Sequence, residues 1–242
     1  MKTCRKTAIT VGVLYIIGTV TGVLSLLLTK PLLDASASLL TVAAQGNQIR
    51  LGALLVFMMG IALAMVPVTM YPILKKHNEV LALGYVVFRG GLETFTYIAG
   101  AIFLLLLASF SQVAVQSEVA GAVTVQAMGT VFQQAVEICT TMTEIVFPLG
   151  ALMFYTVLYQ ANLLPRWISG WGLVAAILYE AGGILHLFAL TGQTSTIMLM
   201  LVLPMGVQEM VLAVWLIVKG FNASAFASGS AKTETNELVS AA

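Results

Sequence analysis

Arginine and glutamate lie together in one long apolar stretch of this sequence. Arg89 and Glu93 are four residues apart, so on a helix they share one face, which Tyr97 and Gly100 extend. Inside a membrane-spanning helix each charged side chain costs at least about 2.5–3.5 kcal/mol, and such residues usually face the protein interior and have a functional role. The spacing therefore predicts a buried ion pair, which either fixes helix packing or belongs to a functional site.

Two more carboxylates and a histidine lie in later apolar stretches. Glu180 and His186 are about 120° apart around a helix axis, with Gly183 midway between them. Glu209 follows Pro204, and a proline removes a helical hydrogen bond, so we expect a kink or a short unwound piece beside Glu209. We expect His186 to be a buried, hydrogen-bonded histidine rather than a metal ligand.

Four of these charged residues are predicted to share one depth. Counted from one end of their helices, Arg89, Glu93, Glu180 and Glu209 lie about 13–20 Å from the same membrane face, and His186 lies further towards the other face. If all four ionise, three glutamates outnumber one arginine. Such a surplus is unfavourable in a low-dielectric site, so either carboxylates take up protons or a cation binds.

A purely structural interpretation stays open for the same residues. Arg89 and Glu93 can form an ion pair that only fixes packing, and Glu180 and Glu209 can each be protonated and hydrogen-bonded to a neighbour. Glu144 lies near the end of its apolar stretch, where we expect it to be in contact with water.

Sequence signals for enzymes, metals and cofactors are missing. HExxH, GxSxG, Walker and dinucleotide-binding motifs do not occur, and two histidines are too few for a three-histidine zinc site. Cys4 and Cys139 form no CxxC pair. We therefore assign no catalytic residue and expect neither a metal nor another cofactor. The net charge of +1 and the lack of a dense basic patch give no reason to expect nucleic acid as a partner.

The composition is that of an integral membrane protein, whose partner is the lipid bilayer. Hydrophobic residues make up 60% of the chain and charged residues only 9%, against about 25% in ordinary soluble domains. A spanning helix needs about 20 apolar residues, and unpaired backbone groups cannot face lipid. We predict an all-α bundle of six transmembrane helices in residues 1–221. Their approximate ranges are Thr7–Leu28 (ended by Lys30 and Pro31), Ile49–Tyr71, Val80–Ser109, Met142–Tyr159, Trp167–Leu190 and Thr196–Val218.

Basic residues at the helix ends predict the orientation, because cytoplasmic loops are enriched in lysine and arginine. With six spans, eight of the flanking basic residues fall on one side and only Lys30 and Arg50 on the other. Both termini are therefore predicted to be cytoplasmic, and Cys4 and Cys139 to be on opposite sides. The eight are Lys2, Arg5, Lys6, Lys75, Lys76, Arg166, Lys219 and Lys232.

Three segments outside these spans have distinct patterns. The stretch from Ser111 to Thr141 is too polar to span, and its apolar residues recur at helical spacing, which predicts an outer amphipathic helix leading into the fourth span. Residues 222–242 lack periodicity and are predicted to be a disordered cytoplasmic tail. Ala35-Ser36-Ala37 resembles a signal-peptide cleavage site, but the preceding apolar run is longer than usual, which favours a retained first span.

Three motifs resemble a bacterial membrane family catalogued as domain of unknown function 4386. They are Phe88–Glu93, similar to its F-R-x-x-E segment, Leu164–Ser169, similar to its L-P-R-W loop, and a closing segment with Gln208-Glu209 and Trp215–Phe221. The resemblance covers about Thr7 to Asn222. It implies a multi-pass protein of the bacterial inner membrane, and it implies no activity. Glu180 and His186 match no motif of the family.

These observations leave three hypotheses for the function. The leading one is binding or transport of a small solute or ion, with a proton- or cation-linked centre of Arg89, Glu93, Glu180 and Glu209, and with His186 and Tyr97 as further candidates. The guanidinium could hold an anionic group and a carboxylate could carry the proton. The second is a lipid-modifying intramembrane enzyme with Glu180 or Glu209 as general base, assisted by His186. The third is a non-catalytic membrane partner or immunity-type protein.

Overall fold

The structure is a computed structural model that describes residues 2–34, 37–192 and 195–222. Ala35 and Ser36 of the possible cleavage site lie outside the described residues, as does the predicted disordered tail from residue 223 onward. The described residues form helices and no strands. They are α1 (Lys2–Leu33), α2 (Leu39–Ala44), α3 (Gly46–Leu74), α4 (Glu79–Tyr85), a π-helical segment (Val86–Leu92), α5 (Glu93–Gln116), α6 (Val123–Gln160), α7 (Arg166–Leu187) and α8 (Thr196–Val218).

Among the described residues, six helices are long and apolar enough to cross a membrane, which confirms the predicted all-α fold with six spans. The spanning ranges are Cys4–Leu33, Gly46–Leu74, Glu79–Gln116, Val123–Gln160, Arg166–Leu187 and Thr196–Val218. The third span consists of α4, the π-helical segment and α5. The limits of the sixth span agree with the prediction, whereas the others differ from it by a few residues or more.

The first helix continues past the proline that was predicted to end it. Pro31 lies inside α1, and the helix ends three residues later than Lys30, at Leu33. Leu32 is buried in an apolar cluster with Leu39 and Ile49, and its carbonyl oxygen accepts a hydrogen bond from Gln133 Nε2 at 3.1 Å. Burial and this bond offset the helical hydrogen bond that Pro31 cannot donate.

The polar stretch before the fourth span is helical from Val123 onward, but it is not a separate helix. It continues without a break into the span, so α6 is one helix of 38 residues. Its apolar face is anchored, since Val136 belongs to the same cluster as Leu39. A Cβ added to Gly129 would lie 2.6 Å from Leu39 Cδ2, which shows how closely α6 approaches α2. This packing favours one continuous helix over two.

Contacts divide the chain into two compact units. Unit 1 contains Met1–Ile16, Leu63–Leu92 and Glu144–Ala242, and unit 2 contains Ile17–Ala62 and Glu93–Thr143. In unit 2, the cluster around Leu32, Leu39 and Ile49 forms the core, and Ser25 Oγ donates to the Gly52 carbonyl oxygen at 2.9 Å.

In unit 1 the first helix packs closely against the last. A Cβ added to Gly12 would lie 2.6 Å from the carbonyl oxygen of Ala213, so only glycine permits this approach of α1 to α8. Arg5 then donates through Nη2 to the carbonyl oxygens of Ile217 at 2.6 Å and Val218 at 3.2 Å. These carbonyls have no partner within their helix, so the guanidinium caps the end of α8 and holds the start of α1 beside it.

Candidate functional site

The π-helical segment positions Arg89, which lies more than one helical turn from either end of its span. Arg89 is at the middle of Val86–Leu92, and its side chain is 2% exposed. On the facing helix α6, a Cβ added to Gly150 would lie 3.2 Å from the backbone nitrogen of Arg89, so the two backbones are close. π-Helical turns are rare and occur often at functional sites, because they displace side chains from the regular α-helical register.

Arg89 forms a buried ion pair with a glutamate from the last helix. Its Nη2 donates to Glu209 Oε1 at 3.0 Å, and the exposed fractions of the two side chains are 2% and 15%. The guanidinium carbon also lies 4.4 Å from the ring centroid of Phe147 and 5.7 Å from that of Tyr15. Aromatic rings stabilise a cation that has lost its water, so the arginine keeps its charge at low solvation cost.

Tyrosine hydroxyls and one amide form two sets of hydrogen bonds in the same unit. The Tyr15 and Tyr85 hydroxyls are 3.3 Å apart. The Tyr155 hydroxyl donates to Gln208 Oε1 at 2.6 Å, and Gln208 Nε2 donates to the carbonyl oxygen of Ile168 at 3.0 Å. The ring of Tyr15 is also one of the two that lie beside the Arg89 guanidinium. The Tyr15 ring therefore contacts the cation while its hydroxyl is hydrogen-bonded elsewhere.

A second acid–base pair in unit 1 joins α6 to α7. His186 Nδ1 lies 2.6 Å from Glu144 Oε2, and both side chains are buried, with exposed fractions of 7% and 6%. This burial corrects the expectation that Glu144 is in contact with water. The reason is the close approach of the two helices, since a Cβ added to Gly183 would lie 2.7 Å from the carbonyl oxygen of Glu144.

Glu93 and Tyr97 belong to unit 2, where they contact each other. The Tyr97 hydroxyl donates to Glu93 Oε1 at 2.8 Å, and Glu93 is fully buried. One turn later, Thr96 Oγ1 lies 2.6 Å from Thr143 Oγ1 and connects α5 to α6. Since Arg89 lies in unit 1, the predicted pairing of Arg89 with Glu93 stays a prediction.

Comparison with known proteins supplies a family. The family model described as Domain of unknown function (DUF4386) matches residues 10–220. The chain belongs to this family. The resemblance of the three motifs is thereby confirmed, and the matched range includes Arg89, Glu144, His186 and Glu209. No curated protein and no solved structure matches the chain.

Of the four charged residues predicted to gather in this DUF4386 protein, Arg89 and Glu209 are in direct contact. Glu180 lies on α7 in the same unit, and its Oε2 is buried without a hydrogen-bond partner among the residues that the structure describes. Its membership in a common centre with Arg89 stays a prediction. In the described ranges, no three His, Cys, Asp or Glu side chains come together as a metal site would require.

Sequence reasoning on this DUF4386 chain missed the residues around the arginine. Tyr15, Tyr85, Tyr155 and Phe147 are aromatic residues of apolar helices, and such residues are indistinguishable from ordinary packing without the fold. Gln208 carried a usable signal, because an amide in the interior of a spanning helix needs hydrogen-bond partners as a charged residue does. The Glu144–His186 pair had a signal too, since both residues are ionisable and lie in predicted spans.

Proposed function

We propose that this protein binds or transports a small anionic solute, which takes the place of Glu209 on the guanidinium of Arg89. The observation that supports the proposal is the buried Arg89–Glu209 pair itself. Its arginine is 2% exposed and its glutamate 15% exposed, so the carboxylate is the more exposed member of the pair. An arginine that already holds one carboxylate has the donor geometry for another anion.

Charge balance then links solute binding to a second ion. When the solute displaces Glu209, the carboxylate loses its cation in a surrounding of low dielectric constant, where an unpaired charge is unfavourable. Glu209 therefore takes up a proton or a cation as the anion binds. The π-helical segment supports the same assignment, because such turns occur often where a protein acts on a ligand.

Chemical rescue tests this proposal in purified protein. Glu209→Gln removes the carboxylate that Arg89 Nη2 contacts, so we expect a lower melting temperature, which chloride, acetate or phosphate restores in part. The wild type should respond less, because Glu209 competes with the added anion. Sodium and potassium salts of each anion separate the effect of the anion from that of the cation.

Two lysine variants provide the matched controls. Arg89→Lys keeps the charge but loses the planar pair of donors. The rise in melting temperature on adding an anion should therefore be smaller in this variant, with or without Glu209→Gln. Arg166→Lys changes an exposed arginine, which lies at the start of α7, and should leave both unchanged. If no anion stabilises either the wild type or Glu209→Gln, the proposed solute site is wrong.

We also propose that the six spans lie in the bacterial inner membrane, with both termini in the cytoplasm. The distribution of lysine and arginine at the helix ends supports this orientation. The contact of Arg5 with the last carbonyls of α8 also supports it, because it holds the start of the first span and the end of the last beside each other.

The native cysteines allow a direct test of the orientation. Cys139→Ser leaves Cys4 as the single cysteine of the chain. A membrane-impermeant maleimide should then label Cys4 in inverted membrane vesicles and not in intact spheroplasts. The opposite pattern would place the N-terminus outside.

A further inference from the structure

We propose that the solute on Arg89 is a zwitterion of the α-amino acid type, whose carboxylate binds the guanidinium and whose ammonium group binds the displaced Glu209. The inference rests on the proposed function, because it uses the same pair of side chains. It names the class of solute, and it makes the ammonium group of the solute the cation that Glu209 takes up.

Charge balance favours a solute that carries both signs. A simple anion on Arg89 adds one negative charge to a buried site, and this holds whatever other groups Arg89 contacts. A zwitterion adds no net charge. Its two ends replace the buried contact between Arg89 and Glu209 with two contacts of the same kind, so each side chain exchanges one partner of opposite charge for another. One solute therefore supplies both the anion and the cation that the exchange requires.

The distance between the two side chains favours a short zwitterion. Nη2 of Arg89 and Oε1 of Glu209 are 3.0 Å apart. An inserted zwitterion replaces this contact by two contacts of about 2.8 Å with the solute between them, so the two side chains must move apart. The movement is smallest when one carbon atom carries both the carboxylate and the ammonium group. That is the arrangement of an α-amino acid.

The surroundings of the pair assign this movement to the side chain of Glu209. The guanidinium carbon of Arg89 lies 4.4 Å from the ring centroid of Phe147, and its side chain is 2% exposed, so packing fixes its position. The backbone beside Glu209 is fixed as well, because Gln208 is fully buried and makes hydrogen bonds through both ends of its amide. The flexible side chain of Glu209 is therefore the part that turns.

Open space on α8 lies next to Glu209. Gly206 is exposed, and among the described residues a Cβ added there would contact nothing within 4 Å outside its own helical turn. Residues three apart on a helix are neighbours, and side chains lean towards the N-terminal end of their helix, so Glu209 leans towards Gly206. The ammonium end of the solute therefore lies at the more open member of the pair, and the carboxylate end lies at the buried Arg89.

Three small molecules of the same shape test the class of solute in purified protein at constant salt. Alanine has both charges, isobutyrate has a methyl group in place of the ammonium group, and isopropylammonium has a methyl group in place of the carboxylate. The concentration dependence of the melting temperature gives an apparent affinity for each. We expect the wild type to bind alanine about tenfold more tightly than isobutyrate, because one contact between charged groups separates the two. Isopropylammonium should bind most weakly.

Glu209→Gln should reverse this preference. The amide has no negative charge to hold the ammonium group, so the apparent affinity for alanine should fall by about tenfold, whereas the affinity for isobutyrate should not fall. Glu79→Gln, the matched control at an exposed position at the start of α4, should leave both affinities unchanged. In the wild type, glycine, β-alanine and γ-aminobutyrate should bind progressively more weakly, because each added carbon atom requires a larger movement of Glu209.

Failure of this inference and failure of the proposed function give different results. A wild type that binds isobutyrate as tightly as alanine, or more tightly, overturns the zwitterion and retains the anion site. This wild-type comparison decides the point even if Glu209→Gln does not fold. If neither alanine nor any of the anions changes the melting temperature of the wild type or of Glu209→Gln, the proposed function is wrong as well. Stabilisation by isopropylammonium alone would contradict both.

Discussion

Unit 1 contains two buried acid–base pairs that differ in what happens when the acid is lost. Arg89 remains charged under all ordinary conditions, so its pair with Glu209 is a fixed dipole surrounded by Phe147 and Tyr15. An imidazole, unlike a guanidinium, has a neutral form, so the contact of His186 with Glu144 does not require a fixed charge. The first pair therefore keeps a fixed positive charge, as the proposed anion site needs, and the second does not.

The local backbone differs in the same way. Arg89 lies on a π-helical segment, which turns its side chain out of the regular helical register. His186 lies on a regular helix, and a glycine one turn earlier brings that helix against the carbonyl group of Glu144. One site is thus made by deforming a helix and the other by bringing two helices into near contact.

Replacing the acid of each pair should give the largest difference between them. Glu209→Gln leaves a buried arginine that cannot neutralise itself, and we expect a loss of about 3–5 kcal/mol in the free energy of unfolding. Glu144→Gln leaves a histidine that can become neutral and still bond to the amide, so about 1–3 kcal/mol is expected. Unfolding in mixed micelles of mild detergent and dodecyl sulfate measures both values. Equal losses would remove the distinction between a fixed and a titratable pair.

Glycine substitutions compare the two backbones directly. Gly183→Ala places a Cβ 2.7 Å from the Glu144 carbonyl oxygen, whereas at Gly150 the nearest atom, the backbone nitrogen of Arg89, is 3.2 Å away. We expect Gly183→Ala to cost about 1–3 kcal/mol and Gly150→Ala less, because overpacking forces the backbone to move. Gly206→Ala, where no atom lies within 4 Å, is the control and should not destabilise. A larger loss of stability in Gly150→Ala than in Gly183→Ala would show that α6 packs more tightly against the π-helical segment than against α7.

The ring of Phe147 lies beside a fixed positive charge, and a histidine in its neutral form has no such charge. Phe147→Leu removes the ring 4.4 Å from the guanidinium carbon, and a desolvated cation–π contact contributes up to about 2 kcal/mol. A double-mutant cycle of Phe147→Leu with Arg89→Lys measures the coupling free energy between the ring and the cation. The corresponding cycle of Phe147→Leu with His186→Gln should give a coupling free energy near zero. Phe95→Leu, at a ring that is 69% exposed, serves as the control. Comparable couplings in both cycles would show that Phe147 only fills space.

The number of spans follows from the sequence because each span is a long apolar run with its own backbone hydrogen bonds. The sixth span, Thr196–Val218, agrees to the residue with the structure. The predicted ends of the helices are wrong where tertiary contacts override local signals. At Pro31, for example, burial of Leu32 extends the helix. The π-helical segment around Arg89 was not predicted, since nothing in the local sequence distinguishes it from an ordinary helix, and the close approach of Gly150 on α6 is visible only in the fold.

The candidate site was predictable in its charges and not in its contacts. Arg89 and Glu209 could be singled out because ionisable residues are rare in spans, and the structure brings them together across 120 positions of the chain. Glu144 was misjudged because depth along a helix does not reveal which face is covered by a neighbour. The contact at Gly183 that buries it is a property of two helices and not of either sequence segment alone.

The smallest expected effect concerns the neutral hydrogen bonds beside the ion pair. Tyr15→Phe removes the bond between the Tyr15 and Tyr85 hydroxyls, which are 3.3 Å apart. Hydrogen bonds between membrane helices contribute about 0.6 kcal/mol on average, so the same unfolding assay should detect a loss of that size. Tyr159→Phe, at an exposed position of α6, should show none. A loss as large as that of Glu209→Gln would mean that the Tyr15 hydroxyl stabilises the charges of the pair. The aromatic surrounding of Arg89 would then belong to the anion site itself and not only to its packing.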